Sequence, residues 1–440
     1  MIVLSTYGDI RLNDLEFVPD FYEYRLDLSE DYFAIPQFFT NIKTILTLRD
    51  ADEGGLYNGN LSKKIDFLYE KIKIDNFYAD IELKYISQIP FECNDKVILS
   101  YHDNGYNPLQ KLKTILSHIK FNFGFFYKFV FKIDTYFDLI EMHKLLINKG
   151  VKYTLISTGK LSVFSRVLYK YLNCYVTYIG MPNKITAHNQ ISLNDYFKYN
   201  MGIIDRNTKI TGLLGGKQIF NSIGIEYYNA IFKSKKINKV YIPLFCNELN
   251  DFIYLIQSKV IDLQAISITM PFKQIIAVYL NEEIPINYWN IYNNDHYLTD
   301  EEAVVKCIDK VIENRITQFI LLGSGTMTEL FLKHISPYTI NLIGRNNTHL
   351  EHLRHKYNLK SELNYGDKIC LINTTPLGLD NENVLTSFHI DKFDFVIDLP
   401  YNKEHTPLIK YCIKNRIAYI DGIQFWYWQA EKQLSLFLEN

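Results

Sequence analysis

The apolar run FVFKI at 129–133 carries a lysine, and burying its ammonium among such neighbours is costly. Desolvation favours the neutral, nucleophilic amine, so Lys132 is expected to attack a carbonyl. His102 ends another strand-like run and supplies a general acid and base. Glu23 and Arg25 lie on the second such run, Arg49 with Glu53 just after the third, and Glu82 on the fourth. Arg166 follows the seventh, and arginines of this kind clamp carboxylates. Taken singly, a strand-end histidine is most often structural and a strand lysine most often snorkels at an edge. Their joint placement points to imine chemistry on a carboxylated keto substrate.

A second chemistry is written further along. FILLGSGTMTEL at 319–330 is a strand, a glycine-rich turn and a helix start. Gly323, Ser324 and Gly325 would let the backbone approach a pyrophosphate at the helix N-terminus, although Thr328 takes the third glycine's place. About twenty residues on, the next strand ends in Arg345 and no acid, which favours a 2′-phosphorylated dinucleotide, NADP, over NAD. Lys273 in SITMPFK and Asp300 in LTD could form a proton relay for ketone reduction, and a surface ion pair is the alternative.

The elements that position these residues follow two patterns. Over the first two hundred residues, β-rich runs alternate with polar turns and helical stretches such as 106–120 and 136–149. The runs are IVLST (2–6), YEYRL (22–26), TILTL (44–48), YADIEL (78–83), VILSY (97–101), FVFKI (129–133), YTLIS (153–157) and YVTYI (175–179). Eight strands alternating with helices predict an α/β fold of the (β/α)8 TIM-barrel type, shorter than the usual ~250 residues, with tight loops or missing helices. Residues 198–209 read as a linker. Later runs at 239–245, 264–270, 318–323, 339–344, 368–373 and 394–399 predict an αβ domain and then a doubly wound parallel sheet. An aromatic-rich helix at about 423–440 is expected to pack back on the αβ domain. The expected boundaries are a barrel at 1–200, a substrate-binding domain at 208–302 completed by 423–440, and a Rossmann domain at 303–422.

At 440 residues, 48% hydrophobic and 22% charged, the chain has the length for two or three globular domains. A formal net charge of −2 argues against a nucleic-acid partner. Six cysteines stand singly, as in reduced cytosolic proteins. No signal peptide, membrane-spanning run or metal motif is read, so a cytoplasmic protein acting on small molecules without a metal is expected.

The segments YEYRLD (22–27), TLRDADEGG (47–55), SYHD (100–103), FKID (131–134), STGKLSVFSR (157–166), VTY (176–178) and TAHNQIS (186–192) occur in the order of the type I 3-dehydroquinate dehydratase motifs. The first half resembles that family. The resemblance implies that Lys132 forms an imine with the substrate ketone and that His102 moves protons. It implies that Glu23 and Arg25 bind ring hydroxyls, that Arg49 and Arg166 hold the carboxylate region, and that Thr186 and Gln190 close the site. Ser5, Glu53 and Tyr178 join the substrate contacts. Ile156-Ser157-Thr158 and TAHNQ depart from the family's M-S-M and S-A-P-G-Q, altering walls and lid rather than the acid–base pair.

The second half resembles shikimate dehydrogenase through TGLLGGKQIFNSIGIEYYNAIF (211–232), SITMPFK, INYWN (286–290), LTD (298–300), NTTPLG (373–378), DLPYN (398–402), TPL (406–408) and DGIQFWYWQA (421–430). By that resemblance Lys273 and Asp300 are catalytic, and Ser222, Thr269, Asn287, Tyr401 and Gln429 contact substrate. Gly323, Ser324, Gly325, Arg345, Asn373 and Thr374 line an NADP cleft. Gly224, Ser267, Tyr288 and Leu298 stand where the family has hydroxyls or amides. The implied protein is bifunctional, dehydrating 3-dehydroquinate and then reducing 3-dehydroshikimate to shikimate. A dehydrogenase half with shifted, quinate-like specificity or lost activity, or a non-catalytic sensor of the intermediates, are the alternatives.

Overall fold

The computed structural model describes residues 1–8, 17–89, 95–119, 124–283, 285–360, 362–364, 366–401 and 404–439. The chain divides into two compact units, Met1–Phe272 with Asn290–Asn293, and Lys273–Trp289 with Asn294–Asn440.

The first unit opens with eight strands: β1 (Ile2–Thr6), β2 (Phe21–Arg25), β3 (Thr44–Thr47), β4 (Phe77–Glu82), β5 (Val97–Asp103), β6 (Phe126–Phe131), β7 (Tyr153–Ser157) and β8 (Thr177–Gly180). They form a nearly closed parallel barrel in the order β7-β6-β5-β4-β3-β2-β1-β8. At the β7–β8 seam the Thr154 hydroxyl donates to Val176 O at 2.6 Å and accepts from Val176 N at 3.0 Å. Helices α1 (Leu61–Ile72), α2 (Pro108–His118), α3 (Tyr136–Ile147), α4 (Ser162–Val167) and α5 (Leu193–Lys198) surround it. Among the described residues, the connections after β2 and β4 carry only 3-10 turns, which is how the barrel is shortened.

Side chains alternate across a strand, so one parity faces the barrel interior. Val3, Phe21, Ile45, Ile98, Phe126, Ile156 and Val176 form one apolar cluster of that parity. Two or more residues further along the same strands, the same parity turns polar: Ser5, Glu23, Thr47, Asp80, Ser100 and Lys128, all buried. The register confirms the alignment, with Ser5 beside Glu23, Thr47 beside Asp80 and Ser100 beside Lys128.

The unit continues with β9 (Lys209–Gly215), α6 (Ile223–Ser234), β10 (Lys239–Phe245), α7 (Leu249–Ser258) and β11 (Leu263–Ile268). Their strands are parallel in the order β10-β9-β11. This segment docks on the barrel through α3. Asp251 of α7 accepts hydrogen bonds from Tyr136 N at 2.9 Å and Phe137 N at 3.0 Å, and Thr135 Oγ1 accepts from Asp138 N at 3.1 Å. Three of the four orphan N–H groups that open α3 are thus satisfied.

In the second unit, α8 (Phe272–Tyr279) leads to the antiparallel pair β12 (Tyr288–Asn290) and β13 (His296–Tyr297), then α9 (Asp300–Glu313). A five-stranded parallel sheet follows, with β14 (Gln318–Leu322), β15 (Thr339–Ile343), β16 (Ile369–Asn373), β17 (Phe395–Asp398) and β18 (Ala418–Asp421) in the order β15-β14-β16-β17-β18. The connecting helices are α10 (Thr326–Ile335), α11 (Asn347–Lys356), α12 (Val384–Phe388) and α13 (Pro407–Asn415). Strand order reverses beside β14, the position where doubly wound sheets open their ligand crevice. The last helix, α14 (Gly422–Leu438), packs on α9.

Five cysteines are buried and unpaired, and Cys93 lies outside the described residues. Among the described residues no helix is long and apolar enough to cross a membrane. No group of three or more His, Cys, Asp or Glu there is placed to hold a metal.

Candidate active sites

Lys128, not Lys132, occupies the barrel interior. The sequence reading placed the sixth strand at 129–133, whereas β6 ends at Phe131. Lys132 therefore falls past the strand end, exposed, with Nζ 5.5 Å from the Tyr106 ring centroid. The desolvation expected of it does not apply. Lys128 is 5% exposed, and its Nζ donates to Glu23 Oε1 at 3.1 Å and Asp80 Oδ2 at 2.9 Å. It also lies 4.0 Å from the centroid of the Tyr178 ring.

The other barrel residues converge on this lysine. Glu23 accepts from Ser5 Oγ at 2.6 Å and Thr47 Oγ1 at 3.0 Å. Arg49 donates to Asp80 Oδ1 at 2.6 Å and Ser100 Oγ at 2.8 Å. Three carboxylates around Arg49, from Asp80, Glu82 and Glu53, outweigh the cost of its burial and hold its proton firmly. His102, on β5 beside β6, is depressed well below the usual histidine range by burial and by the Arg49 and Lys128 cations. Its imidazole is the neutral base at neutral pH. Its Nδ1 lies 3.4 Å from Glu53 Oε2 and has no hydrogen-bond partner among the described residues. Burial lifts the Glu53 carboxyl to about 7, with Glu82 adding to the effect and Arg49 opposing it.

Arg25 joins the barrel to its lid. It is paired with Asp27 at 2.7 Å and donates to Thr186 O at 2.8 Å. Thr186 N and Oγ1 both bond Gln190 Oε1, at 2.9 and 3.0 Å. Arg166 is buried without a carboxylate. One of its nitrogens, Nη1, donates to Ser157 O at 2.6 Å, while Nε has no partner among the described residues. Burial alone lowers its pKa to about 9. An arginine in that state is short of an anion.

In the second unit, Lys273 Nζ and Asp300 Oδ2 are 2.5 Å apart, so the expected relay is a real pair. Asp300 opens α9, and the preceding Thr299 N donates to Asn287 Oδ1 at 2.7 Å. Gln429 Nε2 reaches Thr299 Oγ1 at 3.2 Å. Gln433, which the sequence reading passed over, donates to Asn287 O and Thr299 Oγ1, both at 3.0 Å. Tyr401 lines a cavity of about 300 Å³ with His405, Thr406 and Asp421, and burial raises its phenol. Ser222 and Thr269 belong to the first unit. Ser222 caps α6 and Thr269 follows β11, its N–H bonded to Leu214 O at 2.9 Å.

The glycine turn after β14 suits a nucleotide. Gly323 has φ +122°, and a Cβ there would lie 2.4 Å from Thr374 Oγ1. A Cβ on Gly325, at the head of α10, would meet nothing within 4 Å, which leaves room for a phosphate at the helix N-terminus. Thr328, in place of a third glycine, bonds Thr374 Oγ1 at 2.7 Å and ties the two loops together. Gly344 abuts Gly323 O, and Arg345 follows it, exposed. Asn373 is consumed internally, donating to Asp398 Oδ1 at 2.7 Å and accepting from Thr375 N at 3.0 Å. Thr374 Oγ1 likewise donates to Leu322 O at 2.7 Å.

The fold is a lyase-like barrel followed by αβ elements and a Rossmann-like parallel sheet. Residues 7–198 match the type I 3-dehydroquinase family, and residues 319–437 match the saccharopine dehydrogenase NADP binding domain. The chain carries an N-terminal type I dehydroquinate dehydratase domain fused to a shikimate-dehydrogenase-like NADP-binding domain. It is 26% identical over 285 residues to the chloroplastic bifunctional 3-dehydroquinate dehydratase/shikimate dehydrogenase of Arabidopsis thaliana, covering 62% of this chain and 47% of that one. The match thus spans about half the length of that relative. It is 24% identical over 256 residues to the shikimate dehydrogenase (NADP(+)) of Dictyoglomus turgidum, covering 52% of this chain and 91% of the relative. Against the 3-dehydroquinate dehydratase of Coxiella burnetii it is 29% identical over 206 residues, covering 45% and 87%.

Proposed function

We propose that the chain dehydrates 3-dehydroquinate to 3-dehydroshikimate in the barrel and reduces that product to shikimate with NADPH in its second half. The observation that carries the reading is the placement of Lys132 just past the C-terminal end of β6, with the neutral His102 near the end of the neighbouring β5. Lys132 Nζ attacks the substrate ketone and water leaves, giving a protonated imine. That cation acidifies the adjacent C–H. His102 removes this proton, the β-hydroxyl leaves as water, and hydrolysis of the conjugated imine releases the enone and restores the lysine. The anion-deficient Arg166 takes the substrate carboxylate, while Arg25 senses lid closure through Thr186.

In the second half Lys273 and Asp300 hold the substrate hydroxyl and exchange its proton. Asn287 and Gln429 orient that pair through Thr299. NADPH would supply the hydride, its pyrophosphate held at Gly323–Gly325 and its 2′-phosphate at Arg345. The modules are proposed as 1–200, 208–302 with 423–440, and 303–422. A second reading, a changed dehydrogenase substrate, is favoured by Tyr288, whose hydroxyl is spent on Leu436 O at 3.4 Å.

The test is a coupled assay on the purified chain with 3-dehydroquinate and NADPH, following enone absorbance and NADPH together. Enone formation followed by NADPH loss is expected. Enone that accumulates at constant NADPH would sink the second activity, and no enone would sink the first.

A further inference from the structure

Lys128 carries a charge into the barrel interior, where it is 5% exposed. An apolar side chain would fill that position without the cost of burying a charge. Its ammonium has three donor positions. Two go to Glu23 Oε1 at 3.1 Å and Asp80 Oδ2 at 2.9 Å, and the centroid of the Tyr178 ring lies 4.0 Å away. Lys132 is four residues further on, about 13 Å of extended chain. Lys128 thus sits below the ketone that Lys132 attacks, and it acts through the two carboxylates it holds.

Those carboxylates depend on it unequally. Asp80 Oδ1 also accepts from Arg49 Nη2 at 2.6 Å and Ser100 Oγ at 2.5 Å, so Asp80 keeps a cation without Lys128. Among the described residues, Glu23 has Lys128 as its one ion-pair partner. Its remaining donors are neutral hydroxyls, Ser5 Oγ on Oε2 at 2.6 Å and Thr47 Oγ1 on Oε1 at 3.0 Å. A carboxylate offers about four acceptor positions, two on each oxygen. Thr47 and Lys128 fill both on Oε1, and Ser5 fills one on Oε2. One position on Oε2 is left for a hydroxyl donor, on a carboxylate whose direction is set from three sides.

We propose that Lys128 is a positioning residue of the dehydratase site, fixing the Glu23 carboxylate so that Oε2 accepts a ring hydroxyl of 3-dehydroquinate. The proposal rests on the barrel being the dehydratase, with Lys132 as its nucleophile. Without Lys128, Glu23 is held by hydroxyls alone and turns, so substrate binds more weakly while the chemistry at Lys132 continues. Such a loss appears in KM rather than in kcat.

The experiment uses the full chain and follows enone formation from 3-dehydroquinate. Wild type runs beside Lys128→Met, Lys128→Arg, Glu23→Gln and the double variant Glu23→Gln/Lys128→Met. Lys128→Met should raise KM about tenfold with kcat within about threefold, and Lys128→Arg should restore most of the loss. In the Glu23→Gln background, Lys128→Met should change KM by less than about twofold, because its effect passes through Glu23. NADPH-dependent reduction of 3-dehydroshikimate should be unchanged in every variant. Should Lys128→Met not fold, Lys128→Gln is used, whose shorter neutral amide should still raise KM about fivefold. A KM equal to that of wild type, or effects that multiply in the double variant, overturns the role of Lys128 alone. A wild type that forms no enone, or that is not trapped by borohydride at Lys132, overturns the dehydratase reading itself.

Discussion

In the barrel, charged groups stand on strands at two-residue intervals, sealed from water and held by one another. In the second unit, the Lys273–Asp300 pair stands at the heads of two helices, with Lys273 partly open to solvent and the preceding Thr299 held by Asn287 and Gln433. The barrel site is therefore an electrostatic balance in which removing one charge disturbs several. The second is an arrangement of hydrogen bonds around a single pair, where a loss stays local. Strand parity builds the first, and helix starts and loops build the second.

The sharpest break between the two regions comes from the lysines. Lys132→Ala should lower dehydration at least ~10⁴-fold by removing the nucleophile, read from enone absorbance. Next, Lys273→Ala should slow NADPH-dependent reduction by about 10²–10⁴-fold and leave dehydration untouched. Opposite effects in that pair of assays would dissolve the division of labour.

A smaller effect follows from Glu53, whose carboxyl is lifted from its ordinary 4.5 to about 7. Between those values the folded state holds more protons than the unfolded one, so stability falls as pH rises through the window. Glu53→Gln removes that loss. Its denaturation midpoint should decline less than that of wild type from pH 4.5 to 7, by on the order of 2–3 kcal/mol. Asp251→Ala, which uncaps α3, should cost about 1–2 kcal/mol of unfolding free energy with dehydratase residues unchanged.

Much of the barrel was legible in the sequence because its strands are short apolar runs between polar turns. IVLST and YTLIS coincide with β1 and β7. The frame of β6 was not. Lys128 and Lys132 are four residues apart and share one parity, so alternation does not separate them, and the apolar residues around both hide where the strand stops. Only the end of β6 at Phe131 separates them, with Lys128 buried inside the barrel and Lys132 at its C-terminal mouth. A strand of the usual five or six residues beginning at Phe126 was the available signal. Elsewhere, β9 was absent from the strand-like runs, and KITGLLGG contains three glycines, which weaken the strand pattern. Gln433 sits in a helix noted for its aromatics, and nothing local sets it apart from a surface glutamine. Lys273 and Asp300, 27 residues apart, were found by motif order, and their contact needed the fold.

The most direct test of the central claim is to incubate the chain with 3-dehydroquinate, reduce with borohydride, digest, and map the adduct by peptide mass. The account predicts substrate mass on Lys132 and none on Lys128. An adduct on Lys128 would contradict it, placing the chemistry inside the barrel on the lysine held by Glu23 and Asp80.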